Sequence, residues 1–381
     1  MRFLFASDSF KGTIGSARAA ELLTVAAREC FPEAACTGLV VADGGEGTVD
    51  AVVAATDGEL RRALVADPLG RPVWATYGLL DGGRAVIEMA SASGLPLLRA
   101  SERDPLATST YGTGELIADA LDAGVRDVTL AIGGSATNDG GMGCLRALGA
   151  RFLDDTGSEL AGTGADLARV ARIDLSSLDP RVAETSFHVM CDVDNPLLGE
   201  RGATRVFGPQ KGASPQMVEE LERGMARYAK VLQATVPDFA PQYAGMGAAG
   251  GLGAGVRAML AAELLPGIEQ VLNLVGFDEV VSGCDLCVTG EGHADAQSAH
   301  GKVVSGVAAR CKRAGVPCVA LVGGMDADAT ELLACGVDAL VPAVIDACTV
   351  EEAMENAERN YLLAARRLFS LLKLGHQGVT P

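Results

Sequence analysis

Aromatic residues are scarce in this chain, making up 4% of its 381 positions with a single tryptophan. The apolar content comes instead from Ala, Val and Leu, which suits parallel α/β packing better than a β-sandwich. Positive charge is also in short supply. Lys and Arg number 31 against 49 Asp and Glu, for a formal charge of −18. A nucleic-acid binder needs the opposite field, so no nucleic-acid partner is expected. A small anionic substrate is not excluded, because local lysines, arginines and helix N-termini override a global field. No apolar run approaches a membrane span, and "MRFLFASDSF" at the start is too short for a signal peptide. The four histidines, 188, 293, 300 and 376, show no metal-ligand spacing. Most of the ten cysteines sit in apolar contexts. The one CxxC pair, Cys284 and Cys287, lies in a strand-like run with no second pair, so it reads as buried filler. Together these features describe a reduced, cytoplasmic enzyme with no membrane partner.

Several catalytic signatures are missing as well. In "AQSAHGKV" alanine stands where a P-loop needs its first glycine, and Val303 where it needs Ser or Thr. Ile117 ends the GxGxx pattern begun at Gly112 and Gly114, so a dinucleotide fingerprint is not met. There is no GxSxG elbow and no protein-kinase signature set.

Glycine is plentiful, at 48 residues, and it clusters. Short apolar runs alternate with helix-period segments, the pattern of βαβ units. "RFLFASD" and "GLVVAD" read as strands around a helix from Ser16 to Cys30, with Leu22, Leu23, Ala26 and Ala27 on one face. "VIEM", "DVTLAIGG", "FHVMCD", "DLCVTGEG", "CVALVGG" and "ALVPAV" are further strands. A last helix opens with a capping box at Thr349 and Glu352 and runs to Gly375. Residues 61–130 and 160–270 are richer in turns and irregular glycine. The expected layout is a discontinuous doubly wound domain, 1–60 plus 275–381, with a second α/β domain over 61–274.

Several strand ends break into polar, glycine-rich loops, and ligands of open α/β sheets bind at the carboxyl ends of strands. "DSFKGT" places Asp8, Ser9 and Lys11 after the first strand, with Lys11 set to meet a phosphate. In "ADGGEGT", Asp43 and Glu46 flank Gly44 and Gly45. That pair suits either a helix cap or Mg²⁺, which takes oxygen ligands. "GGSATNDGG" exposes the N–H groups of Gly133 and Gly134 and adds Ser135, Thr137 and Asn138. Asp192 follows an apolar strand, where a catalytic base or metal ligand often sits. Lys211 in "GPQKGAS" stands as a second anion contact, and "TGEGHADAQSAHGK" brings Gly290, Glu291, Asp295 and Lys302. His293 and His300 read as polar lining.

Taken in order, "DSFKGT", "VADGGEGT", "IEMASASGL", "YGTGELI", "IGGSATNDGGMG", "CDVDNPLLGERGATRVFGPQKGA", "GAAGGLGAG" and "TGEGHADAQSAHGK" resemble the bacterial glycerate kinase family, from about Phe3 to about Gly375. The resemblance implies ATP-dependent phosphorylation of D-glycerate with Mg²⁺, mainly to 2-phosphoglycerate. It also implies a flavodoxin-like domain and a second, restriction-enzyme-like α/β domain, with the active site in the cleft between them. Two positions depart from the pattern. His293 stands where "TGEGR" would place arginine, with Arg205 as a substitute cation, and Tyr111 precedes "GTGEL" where some members carry arginine. Under this reading Lys11 and Lys211, with the backbone of Gly133–Gly134 and Gly44–Gly45, hold anionic groups. Asp43, Glu46 and Glu291 are the Mg²⁺ candidates, and Asp192 or Asp295 takes the hydroxyl proton. Two other classes stay open from the residues alone: a hydroxy-acid dehydrogenase and a non-catalytic organic-acid sensor. Monomer and homodimer are both left open.

Overall fold

The computed structural model describes residues 1–10, 12–45, 47–299, 301–344 and 348–377. The chain runs through β1 (Arg2–Ser7), β2 (Ala35–Gly38), β3 (Glu59–Ala66), β4 (Pro72–Leu80), β5 (Arg84–Glu88) and β6 (Asp127–Ala131). There follow β7 (Arg151–Leu153), β8 (Arg172–Asp174), β9 (Ser186–Met190) and β10 (Glu263–Leu265). The remaining strands are β11 (Leu286–Gly290), β12 (His293–Ala294), β13 (Cys318–Val322), β14 (Gly324–Met325) and β15 (Ala339–Pro342). Two compact units result, one of residues 1–43 with the chain from Val271 onward, the other Gly44–Gln270.

The first unit is a parallel sheet in the order β15-β13-β11-β1-β2. Counted along the unit this is the flavodoxin-like order, whose direction switches between β1 and β11. Side chains alternate across each strand, so Phe3, Phe5, Leu286, Val288, Val319 and Leu321 share one face. Helix Ser16–Cys30 covers that face with Leu22, Leu23, Ala26 and Ala27, as its spacing predicts, and helix Ala357–His376 adds Tyr361, Ala365 and Phe369. Helix Val303–Ala314 lies on the opposite face and buries Val303, Val304, Val307, Ala308 and Cys311. Two expectations change in detail. The second strand is Ala35–Gly38 rather than "GLVVAD", because its pairing to β1 spans Arg2–Phe5 only. The Thr349–Glu352 capping box forms, but the helix breaks at Asn356 into Val350–Glu355 and Ala357–His376.

The second unit holds a mixed sheet in the order β10-β9-β6-β5-β4-β3. Strands β5, β6, β9 and β10 are parallel, and β3–β4–β5 add an antiparallel meander. That meander lies in the stretch whose sequence looks turn-rich. Since β3 pairs along its whole length with β4, residues 44–60 belong to this unit, and the first segment of the other ends at Asp43 rather than residue 60. The core is built on Ile87, Val128, Leu130, Phe152, Leu252 and Tyr228.

Candidate active site

The carboxyl edge of the first unit's sheet holds a pocket of about 500 Å³. It sits where the strand order reverses. Asp8 follows β1 and donates its N–H to the carbonyl of Gly290, the last residue of β11, at 2.9 Å. Polar lining comes from the ends of several strands: Asp8 and Ser9, Asp43, then Glu291 and His293, with Lys302 at the N-cap of helix Val303–Ala314. The other wall is apolar and is formed by Phe10, Ile14, Val344, Val350, Met354 and Tyr361. Phe10 and Tyr361 meet edge to face with centroids 5.0 Å apart. Sequence reasoning missed this wall. The signal was present in Val350, Met354, Ala357 and Tyr361 at helical spacing, but core and pocket share that pattern.

Glu291 is the most constrained group here, 7% exposed, and its Oε1 has no hydrogen-bond partner. Burial pushes its carboxyl above the usual range, opposed by a hydrogen bond from Ser298 and the nearby Lys302 charge. Asp295 behaves differently. Its Oδ1 accepts from Ser298 N at 3.1 Å and from Ser298 Oγ at 3.4 Å, closing a short turn. Burial raises this carboxyl too, but the N–H of Ser298, the Lys302 charge and the N–H of Gln297 outweigh it, and it rests below the ordinary range. His293 is exposed, its Nε2 3.2 Å from Asp326 Oδ1. Gly290 owes its identity to packing, since a Cβ there would strike the carbonyl of Leu321. Lys11, Glu46 and His300 lie outside the described residues.

In the second unit the loop after β6 divides sharply. Gly133 and Gly134 are exposed, and Gly134 takes a left-handed conformation at φ 73°. From Ser135 on the chain is buried, and within it Thr137 Oγ1 and Asn138 Oδ1 have no hydrogen-bond partner. Lys211 is buried as well, at 1% exposure. Its Nζ donates to Ser135 Oγ at 2.7 Å and to the Thr137 carbonyl at 2.6 Å, which ties down the loop. Burial lowers its amine to about 7, partly offset by the Asp139 charge. Asn138 Nδ2 donates to Thr204 Oγ1 at 3.2 Å.

Asp139, to which sequence reasoning gave no role, is the anchor of this loop. It is fully buried and accepts from Thr110 N and Oγ1, both at 2.7 Å, from Gly141 N at 3.1 Å and from Gly143 N at 3.2 Å. Glycines complete the fit. A Cβ at Gly140 would run into the Tyr228 ring, and one at Gly255 into the Gly140 carbonyl. "NDGG" and "GAAGGLGAG" are therefore two backbones in direct contact, joined by Gly140 N–H to Gly250 O at 3.0 Å. The Arg205 guanidinium is paired to Glu219 at 2.7 Å. Asp192 is exposed after β9, and its Oδ1 accepts from Gly267 N at 2.8 Å. Gly44 is buried against Met190 and Gly267, and the Gly45 carbonyl accepts from Thr48 Oγ1 at 2.7 Å.

A pocket at the switch point of a parallel sheet, lined by carboxylates and a lysine, defines the class: an α/β protein with a small-molecule site at the carboxyl ends of its strands. The chain belongs to the glycerate kinase family, whose sequence model matches residues 3–373. It is 43% identical over 376 residues to "Glycerate 2-kinase" of Escherichia coli (strain K12), covering 98% of this chain and 99% of that one. It is 44% identical over 375 residues to "Glycerate kinase" of Bacillus subtilis (strain 168), covering 98% of each. A crystal structure assigned as glycerate kinase 2 from Salmonella typhimurium LT2 superposes with a TM-score of 0.90 at 44% identity, covering 99% of this chain and 100% of that one. Among the described residues no helix is long and apolar enough to cross a membrane.

Proposed function

We propose that this protein transfers the γ-phosphoryl group of ATP to D-glycerate, forming 2-phosphoglycerate and ADP. Family membership supports the kinase reading, and the relative named a 2-kinase supports the C2 hydroxyl as acceptor. Within the fold, the observation that carries most weight is the orphaned, buried Oε1 of Glu291 in a pocket shared with Asp43. A carboxylate oxygen out of water without a donor suits a hard cation, so this donor set fits Mg²⁺. Glu291 and Asp43 would hold it, with Glu46 as a third candidate. When bound, the ion neutralises charge on the phosphate oxygens.

The chain's own groups do the rest by position and charge. Lys302, at the start of helix Val303–Ala314, binds phosphate oxygens, with Lys11 a second candidate from the sequence; Asp8 and Ser9 line the same pocket as Lys302. The apolar wall of Phe10, Met354 and Tyr361 receives the nucleoside end of ATP, where a planar base finds an aromatic edge and a pliable thioether. The exposed N–H groups of Gly133 and Gly134 bind an anionic oxygen of substrate. The proton of the attacking hydroxyl passes to Asp192 or Asp295; both follow strand ends, and Asp295 is held ionised at neutral pH. Turnover of the Asp192→Asn and Asp295→Asn proteins separates the two, because only loss of the acceptor removes the proton-transfer contribution.

An ADP-release assay with D-glycerate, ATP and Mg²⁺, read together with phosphorus NMR of the product, tests the proposal. Glycerate-dependent ADP and a phosphorus doublet, from one proton on C2, are expected. A triplet would move the product to C3, and no ADP from folded protein would remove glycerate as the substrate.

A further inference from the structure

The sheet of the first unit carries a second cluster, at the end of its strands away from the pocket. Cys287 is the second residue of β11, Cys318 the first of β13, and the two are register partners. Side chains of parallel partners point to the same side of a sheet. Here that side is covered by helix Val303–Ala314, whose last turn brings in Cys311. The three sulfurs lie within 4.8 Å of one another, and all three residues are 0% exposed. One buried cysteine is ordinary core material. Three sulfurs converging from two strands and a helix form a donor set, and one that CxxC spacing does not reveal. Cys284, the CxxC partner of Cys287, points elsewhere, its thiol 3.3 Å from the Val280 carbonyl.

From this cluster we infer a binding site for a soft, three-coordinate monovalent cation of the Cu(I) type. Ligand chemistry selects the ion, since thiolates favour Cu(I) and zinc while offering Mg²⁺ nothing. Geometry narrows the choice further. A metal–sulfur bond of about 2.3 Å in a planar trigonal site needs sulfurs about 4 Å apart, close to what the fold already provides. A structural zinc site wants a fourth protein ligand, and none joins this group among the described residues. Asp338, whose charge reaches Cys311 and Cys318, is exposed and accepts from the Cys318 N–H at 2.8 Å. On binding, S–H bonds break, sulfur–metal bonds form and the released protons pass to solvent. The bound ion would pin helix Val303–Ala314 to β11 and β13, both of which run on into the pocket residues.

The test is an anaerobic titration of the reduced, full-length protein with Cu(I) in the presence of the competing chelator bicinchoninate. One equivalent withheld from the chelator, with X-ray absorption showing three sulfur neighbours, is the expected result. Cys311→Ser and Cys318→Ser should each lose that equivalent, while Cys348→Ser, at the exposed cysteine, should keep it. Wild-type protein that withholds no copper overturns the site, as does an equivalent bound by fewer than three sulfurs. So does an equivalent that survives in folded Cys311→Ser and vanishes in Cys348→Ser.

Discussion

Two glycine-rich strand ends look alike in sequence and are put to opposite uses. After β11 in the first unit, the chain leaves charged groups around an open pocket, and Glu291 is kept buried with an oxygen unpartnered. After β6 in the second unit, the polar residues turn inward, and Asp139 and Lys211 spend their hydrogen bonds on the loop itself. Leaving a polar atom unsatisfied costs stability, whereas satisfying four donors with one carboxylate holds a loop firmly. On the proposed reading the first region is organised for a ligand, while in the second Asp139 and Lys211 fix a backbone that offers Gly133 and Gly134 outward and leaves Thr137 Oγ1 and Asn138 Oδ1 unpartnered.

The contrast breaks most visibly at Asp139. Asp139→Ala strands the N–H groups of Thr110, Gly141 and Gly143 in the core, and should cost about 3–5 kcal/mol in a denaturant titration. A loss within the error of the measurement would mean that water replaces the carboxylate and the loop is not fixed by it. Next comes Gly140→Ala, which puts a methyl group against the Tyr228 ring at a residue with φ 65°. We expect a loss of about 2–4 kcal/mol, combining left-handed strain with displacement of a buried ring.

A smaller effect belongs to Lys211. Its amine titrates near 7 when folded against 10.5 for the ordinary group. Between those values the unfolded chain binds the extra proton, so stability rises with pH through that window; below about 7 the cost of burying the charge is carried in full. Relative to Lys211→Met, the parent should gain about 2 kcal/mol between roughly pH 7.5 and 9. Parallel curves for the two proteins would show that Lys211 stays protonated inside the loop.

Much of this was legible in the sequence, for physical reasons that can be named. The helix Ser16–Cys30 and the β1, β6, β9, β11 and β13 strands follow from periodicity and apolar runs, which burial imposes directly. The meander β3–β4 was not legible, because its exposed edge places Arg61, Arg62, Leu60 and Leu64 in a pattern without clean alternation. Among site residues, the pocket groups Asp8, Asp43, Glu291 and Lys302 were legible as charged side chains at strand ends. What the sequence could not indicate is direction: Lys211 stands before Gly212 and Lys302 after Gly301, yet one is sealed in the core and the other lines a pocket. Direction is set by tertiary contacts such as Ser135 and Thr137 around Lys211, which no local pattern encodes.

The measurement closest to the centre of this account is Glu291→Gln, with turnover and denaturation midpoint taken on the same preparation. Removing a charge that the fold strains to bury should lower glycerate-dependent turnover about 100-fold while leaving the midpoint unchanged or raised. Turnover within about twofold of the parent, together with a lowered midpoint, would place Glu291 among the groups that hold the fold and contradict its role at the site.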